Sequence, residues 1–198
     1  KEKNLSFDEN ILKTPSDVYL EGYWQTEKYF KEISDILRKE FTFKIPPSEA
    51  NQRMLDTIRL HNSVSIHIRR TDYITDPASS KDMGFCDIPY YKRAVSYLAE
   101  RVADPHFYVF SDDMNWVRSN FALNFPVTYV DLNNADTNYE DMRLMSSCKH
   151  NIIANSTFSW WGAWLNSSEK KIVIAPKKWF NDTSKKSTDL VPENWIKL

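Results

Sequence analysis

Apolar and polar residues alternate over residues 64–68, which read Val-Ser-Ile-His-Ile. A period of two residues is typical of a β-strand with one buried face. The strand runs directly into Arg69 and Arg70. Their guanidinium groups carry planar sets of N–H donors that match the oxygens of phosphates and carboxylates. The pattern therefore predicts a core strand that ends at a site for a small anion.

Short apolar runs alternate with segments of helical spacing along the rest of the chain. Helices are predicted over residues 26–41, from 49 after the N-cap Ser48, from 88 with Pro89 in the first turn, through 116–117, from 138 and over 158–165. Further strands are predicted at residues 106–110, 127–130, 152–154 and 171–175, and the last of these is expected to be the final strand. This alternation predicts an α/β fold, a Rossmann-like, mostly parallel sheet with helices on both faces.

Ligands of such sheets bind beyond the carboxyl ends of the strands. This rule selects three loops, which follow Ile68, Phe110 and Ala154. The first strand end reads His-Ile-Arg-Arg-Thr-Asp, the second loop begins Ser-Asp-Asp, and the third begins Asn-Ser-Thr-Phe. These side chains suit a nucleotide or a sugar, so the candidate site lies at this edge of the sheet.

Composition narrows the class of protein. Apolar residues make up 41% and aromatic residues 14% of the chain, which argues against disorder, and the formal net charge of -1 gives no basic field for nucleic acid. Three glycines exclude both the GxGxxG turn and the Walker A loop. Two cysteines provide no disulfide framework, and no apolar run approaches about 18 residues. We therefore expect a cytoplasmic protein that binds any nucleotide through side chains and helix ends.

The residues of the first loop have ordinary alternatives. Arg69 and Arg70 could form surface ion pairs with Asp72, and His67 could be a hydrogen-bonded core histidine. The position at a strand end favours anion binding for the arginines. The pattern leaves the role of His67 open.

The other loops also allow two interpretations each. Asp112 and Asp113 could hold a divalent cation or could cap a helix, and residues 155–157 could cap a helix, bind an anion at its N-terminus, or both. Asp141 lies three residues after Asn138, which is the spacing of a capping box, although a carboxylate could also accept the N–H donors of guanine. Because the arginines already supply positive charge, no metal is required.

Longer motifs resemble the alpha-1,2-fucosyltransferase family. They are the HIRRTD motif at 67–72, the FSDD motif at 110–113 and the twenty-residue segment 146–165, with supporting similarity at 19–24, 175–180 and 191–195. The resemblance implies an inverting, GDP-fucose-dependent enzyme of GT-B architecture. It assigns residues 1–60 to the end of the first domain with connecting helices, and residues 61–198 to the Rossmann-like domain that binds GDP-fucose.

The resemblance also implies roles for individual residues. Arg69 would contact the donor diphosphate and stabilise the departing GDP, Arg70 and Asp72 would hold the loop, and Asp72 is the nearest candidate for a catalytic base. The predicted catalytic residues are thus Arg69 and Asp72. The predicted donor-binding set is His67, Arg69, Arg70, Ser111, Asp112, Asp141, Asn155, Ser156, Thr157 and Phe158. No cofactor or metal is expected.

The implied reaction transfers fucose from GDP-fucose to the 2-hydroxyl of a terminal galactose on a glycan acceptor. Two departures from the family pattern stand out: Thr71 occupies a position where members often have glycine, and the family's N-terminal Gly-Asn-Gln-Met type segment has no counterpart. We therefore expect a truncated chain that binds donor and is inactive in transfer by itself. The alternative is a non-catalytic carbohydrate- or nucleotide-binding module, since seven tryptophans and ten tyrosines suit sugar binding. The arginine pair favours a nucleotide over a sugar alone.

Overall fold

The computed structural model describes residues 1–71, 76, 81–182, 184–185 and 188–198. Within these residues one sheet contains six strands in the order β3-β2-β1-β4-β5-β6, and every neighbouring pair is parallel. The strands are β1 (Asn62–Ile68), β2 (Pro105–Ser111), β3 (Val127–Tyr129), β4 (His150–Ile152), β5 (Val173–Ala175) and β6 (Ile196–Lys197). The prediction of an α/β, Rossmann-like fold is confirmed.

Helices connect the strands and precede the sheet. The α-helices with described bounds are α1 (Ser34–Glu40), α2 (Glu49–Leu60), α3 (Ile88–Ala99), α4 (Met114–Asn120), α5 (Asn138–Ser147) and α6 (Thr157–Leu165). Short 3-10 helices lie at Glu9–Lys13, Glu27–Tyr29, Lys31–Ile33 and Ala135–Thr137. Ser48 caps α2 by accepting from the backbone N–H of Asn51, and Pro89 lies in the first turn of α3, as the sequence predicted. No helix in the described part of the chain is long and apolar enough to cross a membrane.

Two predicted elements were wrong in extent. The chain between residues 26 and 41 is not one helix, because Phe30 has φ −133° and ψ 14° and separates one 3-10 turn from a second, which leads into helix α1. The strand at residues 173–175 is not the last one, since Ile196 pairs with Ile174 to add β6 at the edge of the sheet. Two residues are too short a run for periodicity to reveal.

Strand β1 is buried on both faces, whereas its alternating pattern predicted one buried face. Helices α2 and α5 contribute the apolar cluster that contains Tyr108 and Phe110 of β2, so the face of β1 with the polar residues is also covered. The buried polar side chains have partners: Ser65 Oγ accepts from Asn151 Nδ2 at 2.8 Å. Hydrogen bonding of this kind offsets the cost of burying polar atoms.

Three apolar clusters hold the layers together. Helices α3 and α4 pack on one face of the sheet, against Val64, Ile66 and Val109. Helices α2 and α5 cover the other face. A third cluster joins helix α6 to the chain after β5 and to the N-terminal part of the protein, where Phe30 stacks on Trp161 at 5.7 Å between ring centroids. The N-terminal residues are thereby packed beside helix α6.

Candidate functional site

Two cavities meet at the carboxyl ends of the central strands. The first, called here the acidic cavity, has a volume of about 610 Å³ and is lined in part by His67, Asp112 and Asp141. The second, called the N-terminal cavity, has a volume of about 950 Å³ and is lined by Ser156 and Thr157 together with residues 3–6. Arg69 and Phe158 line both cavities. Their side chains therefore mark the junction.

The junction lies where the strand order changes direction. Strand β1 is paired with β2 on one side and β4 on the other, so the chain that leaves β1 and the chain that leaves β4 flank a crevice. Open parallel sheets bind ligands at such a switch point. Arg69 follows β1, and residues 155–158 follow β4, which places the strongest predicted motifs together.

Asp112 holds the chain around Arg69. Its Oδ1 accepts from the backbone N–H of Arg70 at 2.9 Å, and its Oδ2 accepts from that of Thr71 at 2.8 Å. The same Oδ2 lies 3.4 Å from Arg69 Nε, and the backbone oxygen of Asp112 accepts from Thr71 Oγ1 at 3.1 Å. Charged acceptors make the stronger hydrogen bonds in proteins, so one carboxylate fixes both the backbone and the side chain of this turn.

Arg70 has a different environment from Arg69. Its guanidinium carbon lies 3.5 Å from the centroid of the Trp116 ring, and its Nε is 3.5 Å from Asp113 Oδ2. Asp113 also caps helix α4 by accepting from the N–H of Trp116 at 3.1 Å, which confirms the capping interpretation of that residue. Arg70 is not among the described residues that line either cavity. It packs the loop against helix α4.

His67 is buried at the inner end of the acidic cavity, with 4% of its surface exposed. Burial lowers its pKa to about 4, the charge of Arg69 adds to this effect, and Asp112 opposes it. The ring is therefore neutral near pH 7, and it lies 5.6 Å from the Phe158 ring. Its Nδ1 has no hydrogen-bond partner in the part of the chain that the structure describes. A buried polar atom without a partner favours a ligand that supplies one.

Asp141 lines the same cavity and accepts from Asn133 Nδ2 at 2.7 Å. Burial raises the pKa of Asp141, while the hydrogen bond from Asn133 lowers it and the charge of Asp131 raises it further. The alternative interpretation, a capping box of Asp141 with Asn138, is not what forms, because Thr137 is the N-cap residue of helix α5. The box forms instead between Asn134 and Thr137, at the preceding 3-10 helix.

Neighbouring residues of the turn after β4 have different roles, since Asn155 connects loops and Ser156 lines the N-terminal cavity. Asn155 is buried, and its Nδ2 donates to the carbonyl oxygens of Met83 at 3.0 Å, Gly84 at 3.3 Å and Trp179 at 3.0 Å. It lies outside the set of described residues that line the cavities and ties two loops to the start of helix α6. Ser156 is the N-cap residue of this helix but makes no side-chain capping bond.

The structure brings most of the predicted site together. Ser111 also lines the acidic cavity, and its Oγ donates to Ile68 O at 2.7 Å. Asp72 lies outside the described residues. The predicted residues that line at least one cavity are His67, Arg69, Ser111, Asp112, Asp141, Ser156, Thr157 and Phe158.

Several of the lining residues were not predicted from the sequence, and two groups of them show why. Asp131, Asn133 and Asn134 follow β3 and line the acidic cavity. The strand-end rule would have found them had it been applied to that strand as well. Tyr23 and Gln25 line the N-terminal cavity. They precede every strand, and nothing in their local pattern distinguishes them.

Comparison with known proteins identifies the family. The sequence model of the family described as glycosyl transferase family 11 matches residues 5–198. The chain belongs to glycosyl transferase family 11. Its motif resemblance to alpha-1,2-fucosyltransferases is thereby confirmed at the level of the family.

Three relatives of this family 11 chain have names that describe them as transferases. An Escherichia coli alpha-1,2-colitosyltransferase is 41% identical over 184 residues, which are 89% of the chain and 61% of the relative. The Escherichia coli O-antigen biosynthesis glycosyltransferase WbnK is 49% identical over 139 residues, 69% of the chain and 45% of the relative. Mouse galactoside alpha-(1,2)-fucosyltransferase 1 is 27% identical over 154 residues, 74% of the chain and 41% of the relative. The chain spans about half the length of these relatives.

Proposed function

We propose that this chain binds GDP-fucose as the donor side of an inverting transferase that moves fucose to the 2-hydroxyl of a terminal galactose. Residues 61–198 would form the donor-binding domain of a GT-B architecture, and residues 1–60 the end of the first domain with connecting helices. The observation that carries the proposal is the placement of Arg69, held by Asp112 at the junction of two cavities beside the N-terminus of helix α6.

The charged and hydrogen-bonding groups around the junction suit a nucleotide as the ligand. The guanidinium of Arg69 and the N–H groups that a helix N-terminus leaves without intrahelical partners both favour a diphosphate. The acidic cavity then takes the nucleoside. Guanine carries adjacent N–H donors on one edge, which suit the carboxylate of Asp141, and the neutral ring of His67 offers a further polar atom. Adenine and uracil lack that pair of donors.

The proposed reaction places positive charge on the sugar ring and negative charge on the departing diphosphate as the bond to C1 breaks. Arg69 is fixed before this charge develops, so it stabilises the transition state more than the ground state. The acceptor hydroxyl attacks C1 from the side opposite the diphosphate, which inverts the anomeric configuration. A role for Asp72 as the base stays a prediction from its position in the sequence. Metal independence stays a prediction from the charge of the arginines, and a cytoplasmic location stays one from composition.

Colitose is a second candidate for the transferred sugar. The relative named for colitosyl transfer is 41% identical over 89% of the chain, whereas the mouse galactoside fucosyltransferase is 27% identical over 74%. Both names contain an alpha-1,2 linkage. The linkage is thus common to both versions of the proposal, which differ in the transferred sugar.

Thermal unfolding in the presence of nucleotides tests the proposal. GDP should stabilise the protein with or without EDTA, by about 2.7 kcal/mol when its concentration is one hundred times Kd, while UDP and ADP should have little effect. Arg69→Ala should remove the GDP effect. Arg59→Ala is the matched control, since Arg59 is an exposed arginine on helix α2 that pairs with Asp56. Stabilisation by UDP with magnesium in preference to GDP would refute the assignment.

A further inference from the structure

The N-terminal cavity is lined by several regions that are distant in sequence. One part of its lining is the junction with the acidic cavity, formed by Arg69 and Phe158, together with Thr157 at the start of helix α6. A second part, called here the N-terminal wall, consists of residues 3–6, Tyr23 and Gln25, and residues 82–83, 180 and 184–185 also line the cavity. A volume of about 950 Å³ lies within the size range of ligand sites in proteins.

The N-terminal wall is held in place by its own hydrogen bonds. The carboxylate of Glu2 accepts from the backbone N–H of Tyr23 at 2.7 Å and from that of Trp24 at 3.3 Å. At the other end of residues 3–6, the N–H of Phe7 donates to Asp189 Oδ2 at 3.0 Å. Both lining stretches are therefore fastened to other parts of the protein, which leaves a formed cavity.

The side chains of this wall suit a neutral sugar. Asn4, Ser6 and Gln25 are uncharged and can donate to or accept from sugar hydroxyls, and the charged residue of this wall, Lys3, can donate to them as well. The ring of Tyr23 is 80% exposed and can pack on the C–H face of a pyranose. Lys185, which also lines the cavity, forms an ion pair with Asp82.

The junction determines which cavity meets the reactive carbon. If the nucleoside occupies the acidic cavity and the diphosphate lies at Arg69, the sugar attached to that diphosphate faces the N-terminal cavity. We propose that the N-terminal cavity binds the acceptor, a neutral glycan that ends in a galactoside, and that the Tyr23 ring packs on its terminal sugar. The inference rests on the proposed function, because the order of ligands along the two cavities follows from the donor.

Ligand-observed NMR with lactose tests this assignment. Lactose should bind to the GDP-saturated protein, and the two ligands should bind at the same time. Tyr23→Ala should weaken lactose binding about fivefold or more and leave GDP affinity unchanged, whereas Tyr23→Phe, which keeps the ring, should retain most of the lactose affinity. Tyr19→Ala is the matched control, since Tyr19 belongs to the same segment, is 88% exposed and is not among the described lining residues.

Three outcomes would overturn the inference: competition between lactose and GDP, no binding of lactose to the GDP-saturated protein, or the same effect from Tyr19→Ala as from Tyr23→Ala. The unfolding temperature of each variant without ligand identifies a folding defect. Failure of the proposed function is seen separately, because it appears as absent GDP binding in the unsubstituted protein before lactose is added.

Discussion

Replacement of Asp112 by asparagine is expected to have two opposing effects on GDP binding. Asp112→Asn keeps the size of the side chain but turns one oxygen into an N–H₂ group, so an acceptor is lost for Arg69 or for the backbone of residues 70–71. The substitution also removes a negative charge near the proposed diphosphate. The first effect weakens GDP binding by freeing the arginine turn, and the second strengthens it.

The magnitudes favour weaker binding. Removal of a unit negative charge about 8 Å from the phosphate, at an effective dielectric constant of about 40, strengthens GDP binding by about 1 kcal/mol. A hydrogen bond to a charged acceptor contributes about 1.5–3 kcal/mol, and the turn around Arg69 has two from its backbone and one contact from its side chain. We expect a net loss of about 1.4 kcal/mol, which is a tenfold rise in the Kd of GDP.

A double-mutant cycle measured by isothermal titration calorimetry shows how Asp112 acts. In an Arg69→Ala background the effect of Asp112→Asn on the Kd of GDP should fall below about twofold, because there is no guanidinium left to position. Asp131→Asn controls for charge alone, since Asp131 lines the same cavity but pairs with Arg118.

Three results would refute the reasoning about Asp112. An unchanged or tighter GDP affinity in Asp112→Asn would mean that its charge outweighs its hydrogen bonds. A tenfold loss that persists without Arg69 would indicate direct contact with the nucleotide. A manganese-dependent gain in GDP affinity that disappears in Asp112→Asn would indicate a metal ligand.

Three further substitutions test the site and its support. Burial lowers the pKa of His67 from 6.5 to about 4. Between these two pH values the unfolded chain binds a proton that the folded protein does not, so folding stability is lost as the pH falls. Urea unfolding should show that the unsubstituted protein loses about 2 kcal/mol more unfolding free energy between pH 7 and pH 5 than His67→Gln does. Parallel pH profiles of the two proteins would contradict this. Asn151→Ala should cost about 2–4 kcal/mol of unfolding free energy, since the buried amide bonds Ser65 and the end of helix α5; a loss below 1 kcal/mol would count against that network. Lys171 donates to three carbonyls at the end of helix α6, so Lys171→Met should lower the unfolding temperature. Lys170→Met, which changes an exposed neighbour, should not.

The fold could be predicted where periodicity was strong. Apolar alternation and helical spacing located the central strands and the helices between them, since each of these elements buries a regular face. The continuous helix expected over residues 26–41 failed because spacing does not reveal where Phe30 must turn to stack on Trp161. Tertiary packing of aromatic rings decided the backbone there.

The candidate site could be predicted in its location and only partly in its contacts. Strand ends correctly placed Arg69 and Asp112 near one another, and parallel pairing of Ile68 with Ser111 explains their proximity. The same rule could not show that the Asp112 carboxylate accepts from backbone N–H groups. It also could not show that Asn155 faces three carbonyls, because both contacts depend on how loops from separate parts of the chain pack.

The division of the two cavity walls along the chain has a practical consequence for engineering. The acidic cavity takes much of its lining from the chain that follows strands β1, β2 and β3, whereas residues 3–6, Tyr23 and Gln25 line the N-terminal cavity and not the acidic one. A combinatorial library confined to those six positions would change the contacts of one ligand while the sheet and the arginine turn stay constant. Selection for new acceptors and selection for new donors could therefore proceed on separate segments of one gene and be combined afterwards.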